Sequence, residues 1–588
     1  MKRNKMKWLW ENMKGFRLLY AVGIFGTLVY NVLQLTIPYI TSTIIDLFLS
    51  EENGAKNLET KRNLFFGLVI AMVAVTIFRV LVVYFDCMIY EKVSQGVLYR
   101  VRNYLYNKME RQDMSFYNTF RTGDLMTRLT GDLDAVRHMI AWVIRMIVES
   151  FSLYTATMVY FFIMDWRLFL IMLVMSPLIF IIIIQFKGEV APKHKALREK
   201  MSDLNTAAQE NISGNRVVKA FAREDYEIAK FTRINDDYKE TNVKTSLTWI
   251  KFFPFVETVA NLMPIFLLVI GGVFIIDGSL TMGEYAAFSG LIWAIQNPMR
   301  NMGNIMNEFQ RFDAASAKVM ELYYSEPKIV NSPDAQEIED RLKGKVEFRN
   351  VSFQYEDSDI PMLKDISFTA EAGKTVAIMG ETGCGKTTLI NLIPRFYEPT
   401  EGTVLIDDKD IKEYKLQSLR KSIGLATQDV LLYSDTVDGN IAYGNSEMSE
   451  DEVRKYARYS AADDFISNME AGYETIVGER GVGLSGGQKQ RISLARALAI
   501  KPSILILDDT TSAVDMETEK IIQEGLRRLD FECTKIIIAQ RVSTTKNADL
   551  ILILRDGKIA EAGTHEELIA KHGYYYEAVM LQTGEEGN

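Results

Sequence analysis

Long apolar runs alternate with charged stretches over the first half of the chain. In the second half, short apolar runs bounded by turn residues replace them. Six segments, 18–39, 64–85, 139–164, 168–186, 252–276 and 284–306, hold the roughly 20 mostly apolar residues that a membrane-crossing helix needs. The last is the least apolar. Six such runs in series, with no soluble domain between them, favour membrane helices over buried core helices. The connections 91–137 and 187–251 are long, poor in Pro and Gly, and helical in pattern, so they extend the membrane helices. Their tips, 114–120 and 212–221, mix apolar and aromatic residues with charges, the pattern of either a docking helix or a solvated hairpin. Beyond residue 345 the period changes. Residues 346–351 alternate as a strand, while 376–379 and 504–507 are short continuous apolar runs suited to buried strands.

Basic residues orient the membrane half. With the N-terminus inside, the inside segments 1–17, 91–137 and 187–251 carry 27 Lys and Arg, and the outside loops 51–63, 165–167 and 277–283 carry 4. That asymmetry places both termini and the second half in the cytosol. The basic lead-in precedes an apolar run that is long enough to span and ends in no small-residue cleavage site, so it reads as a retained helix. Several ionisable or polar residues lie in or at the ends of the runs, among them Arg79, Asp86, Arg145, Glu149, Glu257 and Asn261. Such groups serve either a polar cavity or helix–helix contacts. Arg145 and Glu149, four apart, share a helix face and allow a local ion pair.

Composition adds mostly exclusions. The net charge of −9 over 588 residues leaves no basic field for nucleic acid. Three cysteines, Cys87, Cys384 and Cys533, and four dispersed histidines support neither a disulfide framework nor a zinc site. Pro327 and Pro333 punctuate a junction. The expected division is a transmembrane domain over 1–325, a linker over 326–344 and a nucleotide-binding domain over 345–588.

The second half carries the chemistry. Gly380, Glu381, Thr382, Gly383, Cys384, Gly385, Lys386 and Thr387 match the phosphate-loop pattern at every fixed position, between an apolar strand and a helix that begins near Thr388. Lys386 is placed to reach the β- and γ-phosphates of ATP and Thr387 to offer its hydroxyl to Mg²⁺. Asp508, at the end of the 504–507 run, is a second Mg²⁺ ligand candidate. Leu484, Ser485, Gly486, Gly487 and Gln488 form another glycine-rich helix start, a second anion-binding device. One nucleotide has no evident use for both devices in one chain, whereas two chains facing head to tail use both.

Phosphate loop, LSGGQ pentapeptide and strand-end aspartate, behind six apolar runs, resemble a half-size ABC exporter over nearly the whole chain. The resemblance implies an α-helical transmembrane domain of six long helices plus a cytosolic α/β P-loop NTPase domain with a helical subdomain. It also implies a plasma-membrane location and ATP with Mg²⁺ as cofactors. Tyr355 then looks like the adenine-stacking aromatic. Gln428 looks like the glutamine that senses Mg²⁺ and couples to the membrane half. Gly478–Gly481 looks like the exporter segment before the signature, and 512–515 like the D-loop. The tips become coupling helices, and residues 484–488 face ATP held by a partner chain.

Two positions depart from the family pattern. Asp509 stands where the general-base glutamate is expected, and Gln540 where the switch histidine is expected. Asp is one methylene shorter, a displacement of about 1 Å that costs on the order of 10²-fold in rate. A glutamine amide hydrogen-bonds but carries no imidazolium charge. Lys386, Thr387, Gln428 and Asp508 are intact. The chain therefore reads as the degenerate-site subunit of a heterodimer. Its partner is a second half-size exporter subunit with the glutamate and histidine intact, and its surroundings are membrane lipid and a small-molecule or lipid substrate. A homodimer with slow hydrolysis at both sites, and an ATP-gated channel or regulatory subunit, are the competing readings.

Overall fold

The computed structural model describes residues 4–49, 58–478 and 481–583. Lys2 and Arg3 of the basic lead-in, 51–57 of the first outside loop, and Glu479 and Arg480 of the segment before the signature lie outside the described residues. The chain divides into two compact units, Met1–Glu110 with Thr122–Ser325, and Arg111–Arg121 with Glu326–Asn588.

Unit 1 is helical. Its long helices are Arg17–Leu49, Leu58–Glu110, Ile144–Met164, Trp166–Ser213, Glu224–Ile276 and Met282–Tyr323. Five of them contain an expected run whole, and Ile144–Met164 holds all of 139–164 except its first turn, Met139–Val143, which is π-helical. Four described helical stretches are long and apolar enough to cross a membrane: Arg17–Leu49, Glu59–Glu110, Thr122–Met164 and Glu224–Ile276. Trp166–Pro177 is a shorter apolar stretch, followed by several residues whose side chains are not described. Met282–Tyr323 is less apolar because its hydrophobic residues sit on one buried face, with Ala287, Phe288, Leu291 and Ile295 inside and Asn297 and Asn301 beyond. Its N-terminus is tied to the first long helix. Asp46 accepts from Gly283 N at 2.8 Å and Thr281 Oγ1 at 2.9 Å, and a Cβ at Gly283 would lie 2.3 Å from Ser42 O.

The local Arg145–Glu149 ion pair that the spacing allows does not form. Arg145 Nε lies 3.5 Å from Asp86 Oδ2 and Nη1 is 2.8 Å from Cys87 Sγ. Asp86, buried on a neighbouring helix, presents a carboxylate that also accepts from Thr27 at 2.9 Å. A buried carboxylate gains more from the guanidinium than a half-buried one on the same helix does. Glu257 pairs with Arg300 at 2.8 Å.

Unit 2 holds two sheets. β1 (Val346–Phe353), β2 (Leu363–Ala370), β4 (Glu401–Ile406) and β5 (Lys409–Asp410) form an antiparallel sheet in the order β2-β1-β4-β5. β3 (Thr375–Gly380), β6 (Ile423–Ala426), β7 (Ile504–Asp508), β8 (Thr534–Ile538), β9 (Leu550–Arg555) and β10 (Lys558–Gly563) form the other, in the order β10-β9-β3-β8-β7-β6. All its pairs are parallel except β10 with β9.

The continuous apolar runs arise because this sheet is covered on both faces. Ile504 and Ile506 of β7 enter one hydrophobic cluster, with Val376 and Ile378 of β3 and Ile536 and Ile538 of β8. Leu505 and Leu507 enter the opposite cluster, packed under the helices around Val453, Ile466 and Ile492. Each fully buried aliphatic side chain contributes about 1.5–3 kcal/mol. Residues 326–344 run along this unit. Gln336 N donates to Glu413 O at 2.8 Å, Arg341 Nη2 donates to Pro502 O and Glu532 O, and Ile338 and Leu342 pack on the first core.

Both tips are short helices, Met114–Thr119 and Asn215–Ala220. Asp113 caps the first, accepting from Phe116 N at 3.1 Å, while its other oxygen accepts from Lys328 N at 2.6 Å. Asn118 Nδ2 donates to the Tyr397 hydroxyl at 2.9 Å. Burial alone would raise the Asp113 carboxyl, but hydrogen bonds from Ser115, Lys328 and Phe116 outweigh it and hold the group below the usual range. A depressed folded pKa gives stability that is present above the unfolded value and lost as pH falls through the folded one. Asp113→Ala is expected to remove about 1 kcal/mol locally and speed amide exchange at Phe116 roughly fivefold at neutral pH. Hydrogen-exchange mass spectrometry of 114–119 checks this, and the effect should shrink in acid.

Candidate nucleotide site

β3 delivers its last residue, Gly380, into the phosphate loop, and the loop runs into the helix Lys386–Leu392. Gly380 has φ +150°, and a Cβ there would lie 2.2 Å from Leu554 O. Gly385 has φ +104°, and its Cβ would lie 2.8 Å from Leu363 Cδ2. No larger residue satisfies either position. Lys386 Nζ donates to Gly380 O at 2.8 Å and Glu381 O at 2.7 Å, so the ammonium sits inside the loop curve. Thr382 and Gly383 are exposed, and Cys384 is buried behind them.

Thr387 Oγ1 donates to Asp508 Oδ2 at 3.1 Å. A hydroxyl and a carboxylate in direct contact are the hard oxygen donors that Mg²⁺ takes, so these residues fit the ion. The third candidate, Gln428, lies two residues past Ala426, which pairs with Leu507, and therefore stands at the same sheet edge as Asp508. Its side chain is exposed. Burial raises the Asp508 carboxyl, and the neighbouring Asp509 charge adds to that, against the Thr387 hydrogen bond and Lys386.

Tyr355 packs edge-on against Phe353 and Tyr397, with centroids 4.8 and 5.4 Å away. Its hydroxyl meets Thr388 Oγ1 at 2.9 Å, which ties the aromatic cluster to the helix after the loop.

The two departures from the family pattern meet. β7 and β8 pair in register, Asp508 opposite Ile538, so Asp509 and Gln540 follow on adjacent strand ends. Gln540 Nε2 donates to Asp509 Oδ2 at 2.9 Å. Asp509 is buried and takes the left-handed conformation, φ 50°, as its amide bonds to Ile538 O at 3.1 Å. Burial raises its carboxyl, opposed by Ser512, Arg541 and Lys386.

Ser485 and Gln488 form a reciprocal cap on the helix Gly486–Ala499: Ser485 N donates to Gln488 Oε1 at 2.8 Å, and Gln488 N to Ser485 Oγ at 3.3 Å. Gly487 admits the backbone of residue 513, whose oxygen would be 2.8 Å from a Cβ there, and Leu484 packs on the second core. Among the described residues, no hydrogen bond or ion pair links 484–488 to 380–387.

Gln490 is a residue the sequence reading did not single out. It is buried and donates to Ser512 Oγ at 3.2 Å and Asp509 O at 3.4 Å, and it accepts from Ala513 N at 3.3 Å. It joins the signature helix to the segment after β7. The only signal for it is its place among the polar residues that directly follow the pentapeptide.

Two family models match the chain: "ABC transporter transmembrane region" over residues 20–299 and "ABC transporter" over 363–512. A putative multidrug export ATP-binding/permease protein of Staphylococcus aureus (strain NCTC 8325 / PS 47) is 35% identical over 96% of this chain and 98% of its own length. The chain belongs to the ABC transporter family. It has the half-size exporter arrangement, a helical membrane region followed by one ATPase domain. An ATP-dependent lipid A-core flippase of Syntrophus aciditrophicus (strain SB) is 38% identical over 86% of this chain and 83% of its own. The solved structure of a bacterial Atm1-family ABC exporter with ATP bound superposes with a TM-score of 0.82 at 27% identity, over 97% of this chain and all of that one. This ABC exporter fold thus joins a multi-pass membrane unit to a P-loop ATPase unit.

A raised carboxyl favours folding below its unfolded pKa and loses that contribution as pH rises through the folded one. Asp508→Asn in the nucleotide-free chain should therefore raise the unfolding temperature at pH 7.5, by about 2–4 °C for ~1 kcal/mol. The increment should fade as pH drops toward the ordinary carboxyl range. Scanning fluorimetry over pH measures it, and the same substitution should weaken Mg²⁺-dependent ATP binding.

Proposed function

We propose that this chain is the degenerate-site subunit of a heterodimeric exporter that moves a small molecule, drug or lipid across the plasma membrane. Its termini face the cytosol. The observation that carries the reading is the 2.9 Å hydrogen bond from Gln540 to Asp509. The carboxylate at the general-base position is one methylene short, and one of its oxygens already accepts from the side chain at the switch position. Both features take it away from an attacking water.

The binding half of the site is equipped. Lys386 meets the β- and γ-phosphates, Thr387 and Asp508 hold Mg²⁺ with Gln428 beside them, and Tyr355 offers a ring to adenine. Mg²⁺ supplies charge neutralisation at the phosphates when bound. Residues 484–488 are formed and capped for a nucleotide held by the partner. ATP binding closes the two ATPase domains on each other, and the tips at 114–119 and 215–220 pass that closure to the membrane helices. Hydrolysis at the partner's site reopens them. In support, the second tip leaves Ile212, Val217 and Phe221 at 78, 61 and 73% exposure, apolar groups that a second chain would cover. The distribution of Lys and Arg supports the orientation, and the multidrug-export and flippase relatives support the cargo class.

Steady-state ATPase of the purified chain, alone and with a candidate partner half, tests the assignment. Alone it should turn over slowly, and the double change Asp509→Glu with Gln540→His should speed it by about 10-fold or more. Fast turnover by the isolated chain that survives Asp509→Ala contradicts it.

A further inference from the structure

The last described helix, Tyr574–Thr583, packs on the nucleotide sheet of unit 2. Its anchor is apolar. Tyr575 and Val579 are buried in one cluster with Ala377 and Met379 of β3 and with Val542. Glu561 of β10 accepts from Tyr574 N at 2.6 Å, and the Tyr575 hydroxyl meets His565 Nδ1 at 2.8 Å. Gln582 follows Val579 by three residues and continues the same helix face. Its amide engages the backbone after β8 twice: Nε2 donates to Gln540 O at 2.9 Å, and Oε1 accepts from Val542 N at 2.8 Å. One side chain thus makes both bonds that a neighbouring parallel strand would make around Arg541. Nothing local replaces it. Arg541, the N-cap of the short helix Val542–Thr545, gives no side-chain cap, so the first amide of that helix depends on Gln582. The Arg541 guanidinium is tied elsewhere, to Val514 O at 3.3 Å and to the buried Glu519 at 3.1 Å.

What is held matters because of where it sits. Ile378 pairs with Ile538, and Ala539 N donates to Ile378 O at 3.2 Å, so Gln540 leaves β8 beside Gly380, where the phosphate loop leaves β3. Gln540 is exposed, and its amide uses one N–H on Asp509 at 2.9 Å. A primary amide has a second N–H, the donor that this position can offer a γ-phosphate. With the main chain clamped, only side-chain torsions remain to bring that donor to the phosphate, so little backbone freedom is lost on binding. We propose that Gln582 is a positioning residue for nucleotide binding. It fixes the main chain on both sides of Arg541 so that Gln540 meets the γ-phosphate, and the site thereby discriminates ATP from ADP. This role for Gln582 rests on the reading of residue 540 as the one that faces the γ-phosphate, and not on the heterodimer.

Displacement of trinitrophenyl-ADP from the full-length chain in nanodiscs, with Mg²⁺ present, measures affinity for AMP-PNP, a non-hydrolysable ATP analogue, and for ADP. Gln582→Ala should weaken AMP-PNP about fivefold and leave ADP within about twofold, a split that a merely structural role would not produce. Gln582→Glu keeps the acceptor for Val542 N but sets a carboxylate oxygen against Gln540 O, and should weaken AMP-PNP at least as much. Gln540→Ala should also weaken AMP-PNP about fivefold. In that background Gln582→Ala should change AMP-PNP by less than about twofold, because the two residues act in series. Equal losses of AMP-PNP and ADP on Gln582→Ala, or additive losses in the double variant, overturn the assignment. AMP-PNP weakened by Gln540→Ala but untouched by Gln582→Ala removes the clamp and leaves Gln540 at the γ-phosphate. AMP-PNP untouched by Gln540→Ala removes Gln540 from the γ-phosphate, and the role of Gln582 with it.

Discussion

β8 lies between β3 and β7, hydrogen-bonded to both in parallel, and the chemistry at the nucleotide end of unit 2 hangs from that pairing. The register brings three strand ends side by side. Gly380 opens the phosphate loop, Asp508 meets Thr387, and Gln540 meets Asp509. The pairing holds because alternate residues of β7 and β8 enter two different hydrophobic clusters, so a one-residue slip would exchange both sets. Core packing and site geometry are thus one constraint.

On the proposed reading, holding ATP and hydrolysing it rest on different groups. Lys386, Thr387 and Asp508 are local to the loop and the end of β7. The positions proposed for hydrolysis hold Asp509 and Gln540, and the two are bonded to each other. Gln540 is itself held from behind: Gln582 Nε2 donates to its main-chain oxygen at 2.9 Å, and Gln582 Oε1 accepts from Val542 N at 2.8 Å. Its amide is therefore a fixed donor. A protonated imidazole in its place would bring a charge to the γ-phosphate, while an amide brings only a dipole.

Contiguous signals were legible in the sequence. The phosphate loop, the signature cap and the buried strands announce themselves because their residues are neighbours in the chain. The substitutions at 509 and 540 were also legible. That they bond was not, since the contact depends on strand register across 31 residues. Arg145 shows the opposite failure. A spacing of four suggested Glu149, but a helical pair loses to a buried carboxylate on another helix, and Asp86 takes the guanidinium. The proline-marked junction read as a linker, yet Gln336, Ile338 and Arg341 bind it along unit 2, where partners distant in sequence supply the contacts. The docking character of Met114–Thr119 was half visible. Its aromatics were in the pattern, but the Asp113–Lys328 bond that fixes it was not.

On the proposed reading, the phosphate-loop side of this chain holds ATP through cycles in which its partner hydrolyses. Photolabelling of the assembled dimer with an azido-ATP carrying label on either the α- or the γ-phosphate, after several turnovers, tests it most directly. γ-Label is expected to remain on the peptide containing Tyr355, beside the adenine. Label there from the α-phosphate alone, meaning bound ADP, would contradict it.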